Sequence, residues 1–213
     1  MQLTKYFFLA LFLSVSSGLI AQNDDIVVTT TTDSKIFRVS LESADANDAS
    51  LLNKAFAAHG AYKVVPQNQS EFRFQFIRKS ANSVECVILS GRPARELKRS
   101  VENGTSSRNS LFKAADWAVR LTSGANGFFA SRLVFIGQRG GNDQEVYTSD
   151  VFFGEIKFHT ADKSQSVNPR WSPDGKKIIY TGYFRSGFPD IFVIDAETSR
   201  RSPFATYEGT NSG

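Results

Sequence analysis

A single cysteine, Cys86, leaves no internal disulfide to be made, so a packed core must hold this 213-residue chain together. Cys86 alternates with Val84 and Ile88 along one face of an expected strand, which makes it a small buried apolar group. A reactive thiol needs a histidine and an electropositive setting, and the residues around Cys86 offer neither. Histidine is also scarce. His59 and His159 stand far apart, and neither has another ligand at metal-type spacing, so they read as surface or packed histidines. No metal or cofactor is expected. A Gly-x-Ser-x-Gly nucleophile elbow is missing, because Ser212 in Gly209–Gly213 falls one place late. Gly137–Asn142 is rich in glycine, but no helix follows to complete a phosphate cradle. No catalytic residue is therefore expected. An excess of one charge is lacking too: the formal charge is +4, spread over scattered Lys and Arg, which does not indicate nucleic-acid binding.

Long hydrophobic runs are confined to the amino end. Lys5 is followed by an apolar stretch from Tyr6 to Val15 and a small-residue end at Ala21, the pattern of a secretion signal over residues 1–21 with cleavage before Gln22. The stretch is too short to span a bilayer comfortably, and no cysteine near the cleavage point offers a lipid anchor. An exported, periplasmic chain with no membrane span after cleavage is expected.

What is abundant is phenylalanine, with 19 residues, as suits a β-rich interior. After a polar start at Gln22–Asp25, Ile26–Thr32 reads as a strand or extended arm and Ile36–Leu41 as a strand. Asp45, Asn47 or Asp48 can cap a helix carrying Leu51, Leu52, Ala55 and Phe56 on one stripe, with Gly60 as its stop. Tyr62–Pro66 is a short strand. Phe72, Phe74 and Phe76 alternate with Arg73 and Gln75 in a half-buried strand, Asn82-Ser83 turns the chain, and Val84–Leu89 returns it. Ala94–Val101, with Arg95, Lys98 and Arg99, fits helix or strand equally, and its basic cluster reads as a solvated face. Ser106–Ser110 offers N-caps for a helix over about Leu111–Leu121, ended by Gly124 and Gly127. Residues 22–126 thus describe a compact α/β domain.

From Gly127 onward the chain repeats. Leu133-Val134-Phe135 lies 45 residues before Ile178-Ile179-Tyr180, Glu145-Val146-Tyr147 lies 45 before Asp190-Ile191-Phe192, and Asp150 lies 45 before Asp195. Ser172-Pro173-Asp174-Gly175 has the composition of a type I turn, with proline presetting φ and glycine closing it. A period near 45 with short strands apolar on both faces points to propeller blades, one over about Gly127–Gln165 and one over about Val167–Tyr207. Asp190 and Asp195 recur at the repeat spacing as Glu145 and Asp150, which fits turn hydrogen bonding and not acid–base chemistry. The residues that define the repeat are Pro169, Trp171, Ser172, Pro173, Asp174, Gly175, Asp190 and Asp195.

Pro169–Tyr180 and Pro189–Asp195 resemble the repeat of the TolB family, periplasmic propeller components of the Tol-Pal cell-envelope system. The α/β domain before the repeat has a similar order. The resemblance implies an α/β N-terminal domain followed by the first two blades of a six-bladed β-propeller over residues 127–213. It further implies a non-enzymatic scaffold that binds the Pal lipoprotein through the propeller and TolA through the start of the mature chain. By position alone, Gln22, Asn23, Asp24 and Asp25 fall in that TolA-binding stretch. The Trp-Ser-Pro-Asp-Gly turn also occurs in propellers of exported prolyl-oligopeptidase-like serine peptidases, and the front end of such an enzyme is the alternative.

One further period after Asn168 reaches Gly213, the last residue, so an incomplete copy of a longer propeller is expected. Two blades leave an apolar blade face open. A two-blade chain that closes a ring by oligomerising is less favoured, because an evolved end would carry a polar cap.

Overall fold

A computed structural model describes residues 35–205 apart from Arg139, Asn142 and Ser186. The signal over residues 1–21, the tail Gln22–Asp25, the extended stretch Ile26–Thr32 and the end at Tyr207–Gly213 lie outside the described residues.

Strand β1 (Phe37–Ser43) leads through helix α1 (Ala46–Ala57) to the short strand β2 (Tyr62–Val64). The side chain of Asp45 caps α1, its Oδ1 accepting from the N–H of Asn47 at 2.8 Å and of Asp48 at 3.0 Å. The helix ends on Ala58 in right-handed conformation, two residues before Gly60, which is not its stop. The Ala58 N–H donates to the carbonyls of Lys54 and Ala55 and the His59 N–H to that of Phe56, so no left-handed residue is needed there. Strands β3 (Phe72–Ser80), β4 (Ser83–Ser90) and β5 (Arg95–Asn103) follow, then helix α2 (Ser107–Ser123), capped by Ser106 and closed by Gly124 at φ 76°. Residues 95–103 are a strand because they pair along all of β4, and Arg95, Glu96, Lys98 and Arg99 stay exposed. Five strands form one sheet in the order β2-β1-β3-β4-β5, with β1 parallel to both neighbours. Leu52 and Phe56 of α1 and Leu111, Phe112, Ala115 and Val119 of α2 pack with Val39, Phe74, Phe76, Cys86 and Ile88 in one core.

The rest of the described chain is β-structure. Strands β6 (Arg132–Gln138), β7 (Gln144–Asp150) and β8 (Lys157–Phe158) form a three-stranded sheet. Strands β9 (Ser166–Trp171), β10 (Lys177–Gly182), β11 (Asp190–Asp195) and β12 (Arg201–Ala205) form a four-stranded meander. The 45-residue repeat of the sequence is a repeat of register. Leu133 faces Ser149 as Ile178 faces Ile194, and Gly137 faces Glu145 as Gly182 faces Asp190. The third strands keep the same spacing, with Tyr147 opposite Phe158 and Phe192 opposite Pro203. One element has no counterpart. The residues 45 before β9 are the end of α2 and the turn after it, so β6 has no strand on its outer side among the described residues.

The two sheets pack face to face. Val134, Ile136 and Val146 of the first meet Ile178, Tyr180, Phe192 and Ile194 of the second in a separate core. Burying about five large apolar side chains stabilises such a joint by roughly 1.5–3 kcal/mol each before the entropy cost of ordering.

Candidate functional site

The turns of the repeat hold themselves together through short polar side chains. Ser172 Oγ donates to Asp174 Oδ1 at 2.6 Å and accepts from the Lys177 N–H at 2.9 Å, while the Gly175 N–H closes on Ser172 O at 2.9 Å. Gly175 takes φ 65°, where a side chain would be strained. The turn after β11 is built on Asp195, whose Oδ1 accepts from the Thr198 N–H and hydroxyl at 2.8 and 2.7 Å. Those bonds hold its carboxyl below the usual carboxylate range. Asp150 plays the same role 45 residues earlier, accepting from the N–H groups of Phe152 at 2.7 Å and Gly154 at 3.1 Å. Its carboxyl is also lowered: burial opposes this, but the Arg108 guanidinium and the two N–H groups outweigh it.

Polar links cross from one sheet to the other. Arg132 donates to Gly175 O with its guanidinium 4.3 Å above the Trp171 ring, and Lys157 donates to Ala196 O at 2.9 Å. Arg201 pairs with Asp162 and donates to the Tyr180 hydroxyl at 2.9 Å. Burial pushes the Tyr180 phenol up to about 12, so it stays protonated. His159 bridges Thr148 Oγ1 and Ser199 Oγ, each at 2.9 Å. Burial first, then Lys157 and Arg132, pull its pKa down to about 4. The imidazole is therefore neutral at pH 7 with both nitrogens engaged, and it presents no free base.

A third set of contacts ties the first sheet's turn to the α/β body. Arg108, in the first turn of α2, reaches Asp150 with contacts of 3.1 and 3.3 Å. A Cβ on Gly154 would stand 2.1 Å from the Arg108 Cζ, so a side chain there would displace the guanidinium from its place beside Asp150. Phe112 packs on Phe152 with centroids 5.0 Å apart. Along the connecting segment, Asp116 accepts from the consecutive N–H groups of Phe129 and Ala130 at 2.8 and 2.9 Å. Burial nonetheless raises its pKa. Phe129 is fully buried and contacts the rings of Phe56, His59 and Phe152, while His59 stacks on Phe128 at 5.3 Å. Burial lowers the His59 pKa.

Where the α2 amino end meets the two sheets lies a cleft of about 790 Å³, lined among others by Asn109, Arg132, Thr148, Lys157, Asp174 and Glu197. Side chains of both charges line it, Arg132 and Lys157 among the cations and Asp174 and Glu197 among the carboxylates. Such a surface can recognise polar groups of a partner, but it joins no nucleophile to a base. Among the described residues, no group of three or more His, Cys, Asp or Glu side chains is placed to hold a metal ion. No helix there is long and apolar enough to cross a membrane.

Of the repeat-defining residues, Pro169 and Trp171 lie on β9, Ser172 to Gly175 form the β9–β10 turn, and Asp190 and Asp195 open and close β11. Asp174, Gly175 and Asp195 line the cleft. Asp190 is buried, and Trp171 carries a buried indole N–H without a partner. Gln22, Asn23, Asp24 and Asp25 lie outside the described residues. Arg108, Asp116 and Phe129, which hold the α/β body to the sheets, carry no signal in the sequence. Their partners are distant along the chain, and the close approaches that glycines mark, Gly127 to the Asp116 Cα at 2.6 Å and Gly154 to Arg108, show only in the folded structure.

No protein-family model matches the chain. Among curated relatives, the Tol-Pal system protein TolB of Roseobacter denitrificans is 34% identical over 108 residues, covering 49% of this chain and 24% of that protein. The TolB of a Marinomonas species is 24% identical over 180 residues, 81% of this chain and 39% of the relative. The TolB of Bordetella pertussis is 26% identical over 160 residues, 74% of this chain and 33% of the relative. The chain thus spans well under half the length of these relatives. Among solved structures, the crystal structure of TolB from Acinetobacter baumannii superposes with a TM-score of 0.69 over 82% of this chain and 51% of that one. At 14% identity this match speaks for the fold alone. The chain is TolB-like in sequence over the matched residues and TolB-like in fold.

Proposed function

We propose that the protein works in the Tol-Pal cell-envelope system as a periplasmic, non-enzymatic scaffold that binds Pal and TolA and supports outer-membrane integrity and cell division. In this reading the three-stranded and four-stranded sheets are consecutive propeller blades, and the stretch at Gln22, Asn23, Asp24 and Asp25 contributes to binding TolA. The observation that carries it is the joint presence of two independent features. An α/β body and a 45-residue β-repeat follow one another in the order and fold of TolB, and one sequence match runs through 81% of the chain. A scaffold role suits the site, whose polar side chains are spent on holding turns and sheets together. The alternative, the front end of a serine peptidase, is not favoured, because the relatives that match through the α/β body are TolB proteins.

Deletion of the gene tests the reading. The expected result is leakage of periplasmic enzymes and sensitivity to detergents, both restored by the gene supplied in trans. A deletion strain with an intact permeability barrier and normal septation contradicts it.

A further inference from the structure

The chain holds two Asn-Gly dipeptides, Asn103-Gly104 and Asn126-Gly127, and the fold treats them in opposite ways. Both asparagines are exposed, so access to water does not separate them. Gly104 is tied down: its N–H donates to Asn82 O at 2.9 Å, and a Cβ on it would stand 2.2 Å from the Ser110 N. Asn103 pairs with Ser83 at the end of β5, and its carbonyl accepts from Lys113 Nζ at 3.0 Å. Asn126 and Gly127 lie between α2 and β6, in neither helix nor strand. Among the described residues, the Gly127 N–H has no acceptor and the Asn126 side-chain amide has no partner. Glycine is nevertheless held at this place, because a Cβ on residue 127 would fall 2.6 Å from the Asp116 Cα.

A backbone nitrogen attacks the side-chain carbonyl of the residue before it when its proton is free to leave and the backbone is free to turn, and a glycine puts no side chain in the way. Asn126-Gly127 meets these conditions, whereas Asn103-Gly104 has its nitrogen bonded and its backbone fixed in a sheet. We propose that Asn126 is a site of spontaneous covalent modification in the folded protein, deamidation to isoaspartate and aspartate, and that the fold protects Asn103. The Gly127 nitrogen gives its proton to water or hydroxide and bonds to the Asn126 Cγ. The side-chain nitrogen then leaves as ammonia, and a five-membered succinimide remains. Water opens the ring at one of its two carbonyls, giving aspartate or isoaspartate. One water is consumed and one ammonia released, with no oxidant or reductant.

The place of the modification gives it a consequence. Asn126 stands between Gly124, which closes α2, and the N–H groups of Phe129 and Ala130, which Asp116 holds. Isoaspartate runs the backbone through the side-chain methylene and so lengthens this connection by one atom, and either product adds a negative charge. Asn126 lines a cavity of about 270 Å³ with Lys113 and Arg120 as well as Glu102 and Asp116, so the new carboxylate has two cations beside it. The reaction thus marks the age of the molecule on the segment that joins the α/β body to the sheets. The inference does not depend on the Tol-Pal reading, because it uses only the geometry of this segment and of β5.

The test is to age the purified chain in mildly alkaline buffer, folded and in urea, and to digest samples with trypsin. Cleavage after Arg99 and Arg108 isolates Asn103, and cleavage after Arg120 and Arg132 isolates Asn126, each in a peptide with no other asparagine. Mass spectrometry reads the gain of about 1 Da when an amide becomes an acid. An isoaspartyl methyltransferase with labelled S-adenosylmethionine reads the isoaspartate share. In urea the two sites should convert at like rates, since both are Asn-Gly. In the folded chain Asn126 should stay within about threefold of its rate in urea, while Asn103 slows by about tenfold or more because its strand must open first. Asn126→Gln, which would need a larger ring, should abolish the gain in its own peptide and leave Asn103 unchanged. Folded-state protection of Asn126 as strong as that of Asn103 overturns the proposal, and so does a folded chain in which Asn103 converts as fast as Asn126.

Discussion

Lowering the pH should loosen the joint between the sheets through His159. Its pKa is depressed to about 4, against 6.5 for an unhindered imidazole, by burial and by the cations Lys157 and Arg132. The unfolded chain therefore takes up a proton as pH falls through 6.5, while the folded chain resists until about 4. A depressed histidine pKa gives stability that is complete above the unfolded value and is lost progressively as pH falls toward the folded one. Linkage between these two values gives a loss of about 2 kcal/mol between pH 7.5 and pH 5, and the loss approaches about 3 kcal/mol below pH 4. Hydrogen bonding does not offset this, because the Thr148 and Ser199 hydroxyls can meet either form of the ring. The assay is urea unfolding at both pH values for the wild type and for His159→Phe, which places at this position the residue type found one repeat later. The variant should be less stable at pH 7.5 but should lose about 2 kcal/mol less on acidification. His59, also lowered by burial, adds the same slope to both proteins and cancels in the comparison. Equal pH slopes for the two proteins would refute the reasoning.

Removing the Phe129 ring should cost about 3–5 kcal/mol, because it is fully buried among Phe56, His59 and Phe152; thermal unfolding of Phe129→Ala measures this. Asp116→Asn keeps one acceptor for the connecting segment and replaces the other with a donor facing an N–H. A loss of about 1–3 kcal/mol is expected, together with faster hydrogen exchange at the amides of Phe129 and Ala130. Gly127→Ala drives a methyl to 2.6 Å from the Asp116 Cα, where the backbone must give way, and a midpoint shift equivalent to about 1–3 kcal/mol follows. Cys86 is fully buried and its thiol pKa is pushed up by that burial, so a thiol reagent should label it only through opening of the core, far more slowly than in urea.

The repeat is legible in the sequence because its signals are local. Each strand is a run of β-branched and aromatic residues, each turn is a cluster such as Ser172–Gly175, and two copies at one spacing check each other. The pairing of Leu133 with Ser149 and of Ile178 with Ile194 follows that spacing without a slip. Residues 95–103 are ambiguous for a physical reason: charged side chains at an edge carry no clear period, and pairing with β4 decides the outcome. Gly60 suggests a helix stop that Ala58 makes without it. Gly127–Ala130 sits one repeat before Ser172–Gly175, yet the turn there closes one residue later, with the Ser131 N–H on Phe128 O at 3.0 Å. Phe129 leaves the sheet for the α/β core, and Asp116 takes its backbone N–H. Links such as Arg108 to Asp150, 42 residues apart, depend on how two bodies meet, and neither local pattern nor period encodes that.

Binding to Pal probes the scaffold reading most directly. The product of the gene, tagged at its own locus and captured after mild crosslinking of intact cells, should bring down the Pal lipoprotein of the same cell well above an untagged control. Capture of the tagged protein with Pal no higher than in that control would contradict the account.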